Sequence, residues 1–341
     1  MNKTRVGVLG VGHLGKLHAK LYREISQADI VGIYDTDLNK AKEVAKELGV
    51  QAFDSRDELF REVEAVNIVT PTSDHYESAL AALENDCHLF IEKPIMAKEN
   101  EAESVIEKAV SNNKLLQVGH IERFNPAVLA LSDVKLNPVF IESHRLASFN
   151  PRGTDVAVIL DLMIHDLDLI LSLVKSEPIQ IEASGVGVIS KNIDIANARI
   201  QFKNGCVANV TASRISTKKM RKMRIFQPAA YISLDFVEGF SEIYNISNTE
   251  QKSFKDGTLA FSLGQIDSIE GEKSIKYNKL QRTGVNPLKH ELTSFVESIS
   301  ANIPPIVSGQ EGLAALKLAN QVMQKIEEHT VQVKEGVISE V

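Results

Sequence analysis

The chain has 341 residues, of which 43% are hydrophobic and 24% are charged, a composition typical of a globular protein with two domains. The formal net charge of −7 argues against a nucleic-acid polymer as the main partner. The two cysteines, Cys87 and Cys206, form neither a disulfide framework nor a metal-ligand spacing. The sequence shows no signal peptide and no apolar run long enough for a bilayer, so it predicts a cytoplasmic protein that binds no metal and no membrane.

The first residues predict a strand, a glycine-rich turn and a helix. Val6–Leu9 is an apolar strand pattern, and Gly10, Gly12 and Gly15 follow with the spacing Gly-x-Gly-x-x-Gly. In this motif the first glycine allows a tight turn, the second lets the backbone approach a pyrophosphate, and the third lets the helix pack on the sheet. A tight turn in an unrelated α/β protein is the alternative. The amphipathic helix pattern that follows carries Leu14, Leu17, Leu21 and Ile25. The predicted phosphate contacts are Gly10, Gly12, His13, Leu14 and Gly15.

Asp35 ends a second strand pattern, Ile30–Tyr34, twenty residues after the last glycine of the motif. A carboxylate at this distance accepts hydrogen bonds from the adenosine ribose hydroxyls and repels a 2′-phosphate. Asp37 adds a second negative charge, and Lys40 is the only cation nearby in the sequence. The sequence therefore predicts NAD rather than NADP as the cofactor.

Strand patterns alternate with helix patterns as far as residue 120. The strand patterns are Val6–Leu9, Ile30–Tyr34, Ala65–Val69, His88–Ile91 and Leu115–Val118, and the helix patterns include Leu38–Leu48, His75–Leu83 and Glu101–Ser111. This alternation predicts an α/β fold, a doubly wound parallel sheet of the Rossmann type over residues 1–120. Ligands of such sheets bind at the carboxyl ends of the strands. Seven residues lie at these ends and are placed around the cofactor by this topology: Thr70, Pro71, Thr72, Glu92, Lys93, Gly119 and His120. Of these, Thr70, Pro71, Thr72, Glu92 and Lys93 are predicted to bind the cofactor.

Lys93 is the candidate catalytic residue of this first domain. It lies between Glu92 and Pro94 at the predicted carboxyl end of a strand. A lysine there can donate a hydrogen bond to a substrate hydroxyl, lower its pKa and help to seat the nicotinamide ribose, whereas an isolated lysine is usually solvated. His75, at a strand-to-helix turn, is predicted to line the cofactor cleft. His18 is expected to face the packing surface of its helix.

Beyond residue 121 the pattern changes to successive strands, Val139–Ala147, Pro178–Ile189, Asp194–Phe202, Cys206–Ile215 and Met223–Phe236. Lys203-Asn204-Gly205 predicts a hairpin turn, and consecutive strands predict a large, mainly antiparallel sheet in a second domain over residues 121–341. Helices are predicted at Val158–Val174 and Gln310–Glu328. Residues 238–282 predict only short strands and loops.

The helix pattern Val158–Val174 is apolar nearly all round except for one polar stripe. The stripe consists of Asp161, His165, Asp168 and Ser172, at i, i+4, i+7 and i+11. Asp161, one turn from His165, can orient the imidazole and stabilise its charged form, which suits a general base. The alternative is a structural network that binds the helix to its sheet. We favour catalysis for Asp161 and His165, and the structural role for Asp166 and Asp168.

One dense basic run and three further residues are candidates for substrate contact. The run, Lys218, Lys219, Arg221, Lys222 and Arg224, is either a solvated strand edge or a site for an anionic substrate phosphate. The predicted substrate-binding residues are Arg123, Asn125 and Arg152, with Arg152 a candidate diphosphate ligand. Each of the three also suits a structural arginine or a helix cap.

Four motifs together resemble the Gfo/Idh/MocA oxidoreductase family over the whole chain. They are Gly10-x-Gly12-x-x-Gly15, Thr70-Pro71-Thr72-x-x-His75, Glu92-Lys93-Pro94 and Asp161-x-x-x-His165. The resemblance implies a Rossmann domain that binds NAD, and a C-terminal α/β domain that binds substrate and whose open sheet joins subunits into homodimers or homotetramers. It also implies that Lys93 is the catalytic lysine and that Asp161 and His165 are the catalytic acid–histidine pair.

Longer strings resemble one branch of this family. They are residues 119–126, residues 152–156 with the helix at 161–168, residues 194–199 and residues 224–231. The resemblance implies oxidation of the carbon-3 hydroxyl of UDP-N-acetylglucosamine to the 3-keto sugar, a step in the synthesis of lipid A precursors. Three alternatives stay open: another sugar or inositol dehydrogenase of the family, a glycosidase that uses tightly held NAD in an internal redox cycle, and a non-catalytic NAD-sensing regulator. A sensor needs only the glycine-rich turn and Asp35, so the three catalytic residues favour an enzyme.

Overall fold

A computed structural model describes residues 3–150, 156–247, 259–268 and 271–339. The chain divides into two compact units, Met1–Phe124 with Asn286–Leu316, and Asn125–Val285 with Lys317–Val341. Among the described helices, none combines the length and the apolar character that crossing a bilayer requires.

The secondary structure follows a Rossmann-like order and then a strand-rich order. The strands are β1 (Thr4–Leu9), β2 (Ala28–Tyr34), β3 (Gln51–Ala52), β4 (Ala65–Ile68), β5 (His88–Glu92), β6 (Leu116–Gly119), β7 (Phe140–Leu146), β8 (Pro178–Val186), β9 (Ile195–Phe202), β10 (Val207–Ser213), β11 (Met220–Gln227), β12 (Ala230–Asp235), β13 (Phe240–Ser247), β14 (Leu259–Ser268) and β15 (Gly271–Gln281). The helices are α1 (His13–Tyr22), α2 (Leu38–Leu48), α3 (Arg56–Glu62), α4 (His75–Glu84), α5 (Glu99–Ser111), α6 (Pro126–Leu129), α7 (Ile164–Val174), α8 (Pro287–Ala301) and α9 (Gly309–Ser339).

The first unit contains a six-stranded sheet in the order β3-β2-β1-β4-β5-β6. Every neighbouring pair is parallel. The strand order reverses at β1, so the crevice at the carboxyl ends of β1 and β4 is the expected ligand position. The predicted doubly wound parallel sheet is confirmed.

Helix α2 has the bounds that the sequence predicts because both of its ends are marked by residue type. The Asp37 side chain accepts a hydrogen bond from the Lys40 N–H at the first turn, and the helix ends at Gly49 with a φ of +65°. Asp, Asn, Ser or Thr at the start and glycine in the left-handed conformation at the end are common helix boundaries.

The inward face of α1 differs from the prediction. Gly15, His18, Ala19 and Tyr22 are buried on this face along with Leu21, whereas Leu14 and Leu17 are each 38% exposed. The helix thus packs through small, aromatic and histidine side chains. His18 faces the packing surface, as expected.

Helix α8 was not predicted, and it packs with the first unit although the sequence analysis places residues 121–341 in the second domain. Leu292 and Phe295 belong to the same buried core as Phe90 of β5. The Phe90 and Phe295 rings meet edge to face with their centroids 5.7 Å apart. The segment returns to the first unit because its apolar face completes the core beside the parallel sheet.

The second unit contains a nine-stranded sheet in the order β14-β15-β13-β12-β11-β7-β10-β9-β8. Neighbouring strands are antiparallel except for the parallel pair β7 and β10. The predicted mainly antiparallel sheet is confirmed. The turn at residues 203–205 joins β9 to β10, as predicted, and Gly205 has a φ of +88°.

Two strand predictions in this unit are wrong. The run Met223–Phe236 is not one strand but the hairpin of β11 and β12, because Pro228 lacks a ladder N–H and Ala229 adopts a φ of +62°. The described part of residues 238–282 forms three long strands, β13, β14 and β15, rather than short strands and loops. Pairing with distant strands stabilises these three strands, so they form even though their alternation of polar and apolar residues is weak.

The helix that carries the predicted acid–histidine pair does not begin as an α-helix. Ile159–Met163 is a π-helical turn, and α7 follows directly from it. Helix α9 extends to Ser339, beyond the predicted end at Glu328.

Candidate functional site

The glycine-rich turn between β1 and α1 has two glycines that the fold requires and one that faces open space. Gly10 has a φ of +86°, and a Cβ there would lie 2.7 Å from the Val69 carbonyl oxygen. A Cβ on Gly15 would overlap the Gly10 carbonyl oxygen, whereas a Cβ on Gly12 would meet nothing within 4 Å. Packing therefore explains Gly10 and Gly15. Gly12 leaves the bare backbone that an approaching pyrophosphate needs.

The N-terminus of α1 adjoins this open space. The helix begins at His13 with Gly12 as its N-cap, and no described side chain caps its first turn. The first N–H groups of a helix lack intrahelical acceptors, and they favour an anion such as a phosphate. The helix N-terminus beside the open space at Gly12 therefore fits the phosphates of a dinucleotide, and contacts from His13 and Leu14 stay a prediction.

A cavity of about 710 Å³ lies beside the turn. Its lining includes Gly10, Gly12, Asp35, Lys40, Arg56, Thr70 and Pro71, among others. The Oγ1 atom of Thr70 is buried and has no hydrogen-bond partner in the described parts of the chain. Thr72, predicted at the same site, begins the short 3-10 turn Thr72–Asp74 and is not part of this lining. The fold brings Asp35 and Thr70 to the glycine turn, as a nucleotide site requires.

Asp35 is an ionised carboxylate held by three donors. Its oxygens accept hydrogen bonds from the N–H groups of Val11 (2.8 Å) and Asp37 (3.0 Å), and Nζ of Lys40 lies 3.2 Å away. Burial alone would raise the pKa of Asp35, but these N–H groups and Lys40 outweigh it and hold the pKa below its usual value. The structure also brings Arg56 to the same cavity, a second cation that sequence proximity did not reveal.

His75 packs between two loops, with each ring nitrogen close to a carbonyl oxygen, and a neutral ring donates to only one of them. It is 1% exposed, with Nδ1 3.1 Å from the Pro94 carbonyl oxygen and Nε2 3.1 Å from the Thr70 carbonyl oxygen. Burial lowers the pKa of His75 below its usual value. We therefore expect His75 to shape the cofactor cleft through these loops. His120 is fully buried.

Glu92 and Lys93 lie at the carboxyl end of β5, where the sequence analysis places them. The Lys93 side chain is partly buried, and the peptide bond between Lys93 and Pro94 is cis. The Glu92 side chain is 12% exposed and accepts a hydrogen bond from the Lys93 N–H at 3.3 Å.

In the second unit, Asp161 lies in the π-helical turn and His165 in the first turn of α7. Both side chains are partly buried. Single π-helical turns within helices occur often at functional sites. Within the described residues, the Ser172 hydroxyl donates to the Leu169 carbonyl oxygen of its own helix at 2.6 Å rather than to another residue of the stripe.

Asp166, next to His165, forms a buried ion pair. Its carboxylate contacts Nε of Arg145 at 2.6 Å and Nη2 at 3.2 Å, and accepts from the Ser143 hydroxyl at 2.9 Å. Arg145 is 3% exposed and Asp166 is 1% exposed. Asp166 therefore fixes α7 to β7, which is the structural role expected for it.

A second cavity, of about 780 Å³, contains Asp161 and a basic wall. The cations in its lining are Arg214, Lys219, Arg221 and Lys222, and its other acids are Asp235 and Glu238. Lys222 is paired with Asp235 at 3.0 Å, whereas Lys219 and Arg221 are exposed. Arg224 does not line this cavity and pairs with Glu142 at 3.3 Å. Part of the basic run thus faces the same cavity as Asp161.

The three predicted substrate-binding residues have different outcomes. Arg123 contacts Glu311 of α9, with Nη1 3.4 Å from Oε1. Asn125 is buried, caps α6 by accepting the Ala127 N–H at 3.0 Å, and donates to the Phe236 carbonyl oxygen at 3.1 Å. This geometry matches the helix-cap alternative for Asn125. Arg152 lies outside the described residues.

Arg214, which the sequence analysis did not single out, links the cavity to a buried acid. Its Nε lies 3.8 Å from Oδ1 of Asp194, and its Nη2 donates to the Val156 carbonyl oxygen at 2.7 Å. Oδ2 of Asp194 accepts three backbone N–H groups, of residues 188–190, at 2.7–2.8 Å. The Ser190 hydroxyl donates to Oδ1 at 2.6 Å. Asp194 thus organises a loop and orients a cavity arginine.

We expect Asp194→Asn to lower the free energy of unfolding by about 3 kcal/mol at pH 7, since backbone donors and Arg214 lose an ionic acceptor. Burial alone would raise the pKa of Asp194, but the Ser190 hydroxyl and the three N–H groups hold it well below its usual value. A depressed folded-state pKa stabilises the fold above the unfolded value of about 3.9, and this contribution is lost as the pH falls through the folded value.

Urea unfolding at pH 6 and pH 3 measures this effect. The stability difference between wild type and Asp194→Asn should shrink by about 1 kcal/mol between these two values. An unchanged difference would show that the charge of Asp194 is not stabilising.

Comparison with known proteins identifies the family. Residues 4–120 match a family model described as "Oxidoreductase family, NAD-binding Rossmann fold", and residues 141–232 match the GFO/IDH/MocA C-terminal domain. The UDP-N-acetylglucosamine 3-dehydrogenase of Acidithiobacillus ferrooxidans is 38% identical over 328 residues, which cover 96% of this chain and 98% of the relative. A solved structure of that enzyme has a TM-score of 0.83 at 37% identity, over 96% of this chain and 99% of that one.

More distant relatives share the fold. Scyllo-inositol dehydrogenase from Lactobacillus casei, solved with bound NAD(H) and scyllo-inositol, has a TM-score of 0.73 at 20% identity, over 96% of this chain and 98% of that one. The family models and the 38% identity over nearly the whole chain show that this protein belongs to the Gfo/Idh/MocA oxidoreductases and is a dehydrogenase whose cofactor is NAD.

Proposed function

We propose that this dehydrogenase oxidises the carbon-3 hydroxyl of UDP-N-acetylglucosamine to a ketone. The supporting observation is the basic wall of the cavity that contains Asp161, where Lys219 and Arg221 are exposed. Such cations suit a diphosphate, which a free sugar or an inositol lacks. The 38% identical relative carries the same activity in its name.

The chemistry assigns one task to each catalytic residue. His165 accepts the hydroxyl proton as general base, and Asp161 orients the imidazole and stabilises its charged form. Lys93 donates a hydrogen bond to the oxygen as negative charge develops on it. The nicotinamide of a bound NAD would supply the hydride acceptor for carbon-3. Loss of that hydride and of the hydroxyl proton converts the alcohol to the ketone.

We place the reaction in the cytoplasm, in the pathway to lipid A precursors, where a separate aminotransferase consumes the 3-keto sugar. The two free cysteines, Cys87 and Cys206, are buried and suit a reducing compartment. A 3-amino sugar nucleotide formed when the protein and the aminotransferase are combined supports this step in the pathway. Its absence contradicts this step.

A substrate panel tests the proposed activity. The protein and NAD are incubated with UDP-N-acetylglucosamine, UDP-glucose, N-acetylglucosamine and myo-inositol, with a carbonyl trap to pull the equilibrium. We expect reduced nicotinamide absorbance with UDP-N-acetylglucosamine, and a trapped product whose mass is that of the adduct of a keto sugar two mass units lighter than the substrate. Faster turnover of myo-inositol or of the free sugar would contradict the proposal.

Arg221→Ala tests the diphosphate contact within the same assay. A charged hydrogen bond contributes enough for its loss to raise KM for the UDP-sugar about tenfold, with little change in NADH affinity. Arg224→Ala is the matched control because it removes a cation from the same strand, outside the cavity. Equal KM values for the two variants would contradict a substrate role for Arg221.

We also propose that the open face of the nine-stranded sheet joins two or four copies of this chain. A row of aromatic rings crosses five strands of that face, with neighbouring centroids 5.1–5.5 Å apart and the last pair tilted: Phe140, Phe226, Tyr231, Tyr244 and Tyr277. Apolar rings on such a face suit a self-complementary contact. Sedimentation should give a dimer or tetramer, and Tyr231→Asp should dissociate it; a monomeric wild type contradicts the proposal.

A further inference from the structure

A chain of buried polar side chains runs from α1 to the residue before Lys93. The Tyr22 hydroxyl donates to Oδ1 of Asn67 at 2.7 Å, and Nδ2 of Asn67 lies 3.0 Å from Nδ1 of His18. Nε2 of His18 lies 3.1 Å from Oε1 of Glu92. The other carboxylate oxygen of Glu92 accepts the Lys93 N–H. Helix α1 is thus connected through β4 and β5 to the candidate catalytic lysine.

The residue types in this series of contacts determine which group donates and which accepts at each step. Burial raises the pKa of Tyr22 far above its usual value, so its hydroxyl stays protonated and donates to Asn67. The Asn67 amide nitrogen then faces His18, where it can only donate. Nδ1 of His18 is therefore the acceptor, and the ring proton lies on Nε2, whose contact with Oε1 of Glu92 is within ion-pair distance but outside hydrogen-bond geometry. The Glu92 carboxylate thus lies beside two N–H groups, the ring N–H of His18 and the backbone N–H of Lys93.

Packing confines the Glu92 carboxylate between α1 and β6. His18 is fully buried, and its ring meets the Phe90 ring edge to face at 5.5 Å. A Cβ added to Gly119 would lie only 2.9 Å from the carboxyl group of Glu92. The carboxylate therefore has little freedom to move, and its hydrogen bond from the Lys93 N–H at 3.3 Å links the Lys93 peptide to it.

We propose that Glu92 is a positioning residue that aligns Lys93 for catalysis, and that His18 holds Glu92 in that position. The inference rests on the catalytic role proposed for Lys93. A carboxylate suits this position because two N–H groups lie beside it, and an amide would turn its own N–H toward one of them. Helix α1, which begins at the phosphate site, thereby also contacts the residue that positions Lys93, through His18 and Glu92.

Glu92→Gln tests the proposal because the side chain keeps its shape and loses one acceptor. We expect kcat to fall on the order of tenfold, less than the 10²–10⁴-fold effect of a residue that transfers the proton itself. NADH affinity, measured by nicotinamide fluorescence, should stay within about threefold of wild type, since the phosphate site is unaltered. An unchanged kcat, or a loss of NADH affinity as large as the loss of kcat, would overturn the proposal.

Tyr22→Phe is the matched control for a purely structural role. It removes a buried hydroxyl from the far end of the same chain but leaves the contact between His18 and Glu92 intact. We expect its kcat within about threefold of wild type even where its melting temperature falls as much as that of Glu92→Gln. If the two variants lose kcat in proportion to their loss of melting temperature, the chain only stabilises the fold.

Two variants of His18 test the assignment of its ring nitrogens, with Nδ1 as the acceptor from Asn67 and Nε2 as the N–H toward Glu92. Glutamine can accept from Asn67 and turn an N–H toward Glu92, as the neutral imidazole does, whereas leucine can do neither. We expect His18→Gln to retain kcat and His18→Leu to lose it about as much as Glu92→Gln. Equal losses in the two His18 variants would contradict the assignment.

A crystal structure separates this inference from the proposed function. If the wild-type protein oxidises no UDP-sugar, the proposed function fails. The positions of the Lys93 backbone and side chain in Glu92→Gln crystals still decide the inference. Displacement of Lys93 relative to wild type supports a positioning role, and an unmoved Lys93 contradicts it.

Discussion

His165→Ala should lower kcat for oxidation of the UDP-sugar by roughly 10²–10⁴-fold, the contribution of a positioned general base. Lys93→Ala should lose a similar factor, because the developing charge on the oxygen then lacks its donor. Both follow from the assignment of proton removal to His165 and of oxygen stabilisation to Lys93. Steady-state kinetics with saturating NAD measures both losses.

Ser172→Ala is the control for damage to the helix that carries His165. Its hydroxyl bonds to the helix's own Leu169 carbonyl oxygen, so its removal should change kcat by less than about threefold. Binding of NADH to His165→Ala should match wild type, because the nucleotide residues lie in the other unit. Near-normal turnover by both His165→Ala and Lys93→Ala would refute the catalytic assignment.

Asp166→Ala should lower the free energy of unfolding by about 3–5 kcal/mol, the cost of leaving one partner of a buried ion pair without its counter-ion. Arg145 is 3% exposed, so water cannot replace the lost carboxylate. The pair also fixes the turn of α7 next to His165, and activity should fall with stability. Urea unfolding of the purified variants measures the effect.

Glu142→Ala provides a matched control on the same strand, since its ion pair with Arg224 is partly exposed. Exposed pairs contribute about 0–1 kcal/mol, so this variant should stay close to wild type. The double variant Arg145→Met with Asp166→Leu should recover much of the stability lost in Asp166→Ala, because it removes both charges. If Asp166→Ala and Glu142→Ala have equal free energies of unfolding, the buried ion pair stabilises the fold no more than the exposed one.

The sequence predicted the nucleotide half of the protein well because its signals are local. Helix α2 has its cap at Asp37 and its stop at Gly49, and both residues are recognisable from type alone. The inward face of α1 was misassigned for the opposite reason. Leu14 and Leu17 follow the apolar period but are each 38% exposed, because the face that a helix buries depends on partners distant in the sequence.

Long-range pairing also explains what the sequence missed in the second unit. Strands β13 and β15 pair across residues that lie far apart in sequence, so neither strand needs a strong pattern of its own. The Arg145–Asp166 pair joins a strand to a helix, and Arg214 reaches the cavity from the end of β10. The sequence did show Asp161 and the basic run, but their common cavity depends on the fold.

The use of isotope-labelled substrate tests the proposed reaction most directly. UDP-N-acetylglucosamine carrying deuterium at carbon-3 is incubated with the protein and NAD, and the reduced cofactor is analysed by mass spectrometry. The account predicts that deuterium appears at carbon-4 of the nicotinamide and that the labelled substrate reacts more slowly. Reduced cofactor without deuterium, or deuterium that stays on the sugar product, would contradict hydride transfer from carbon-3.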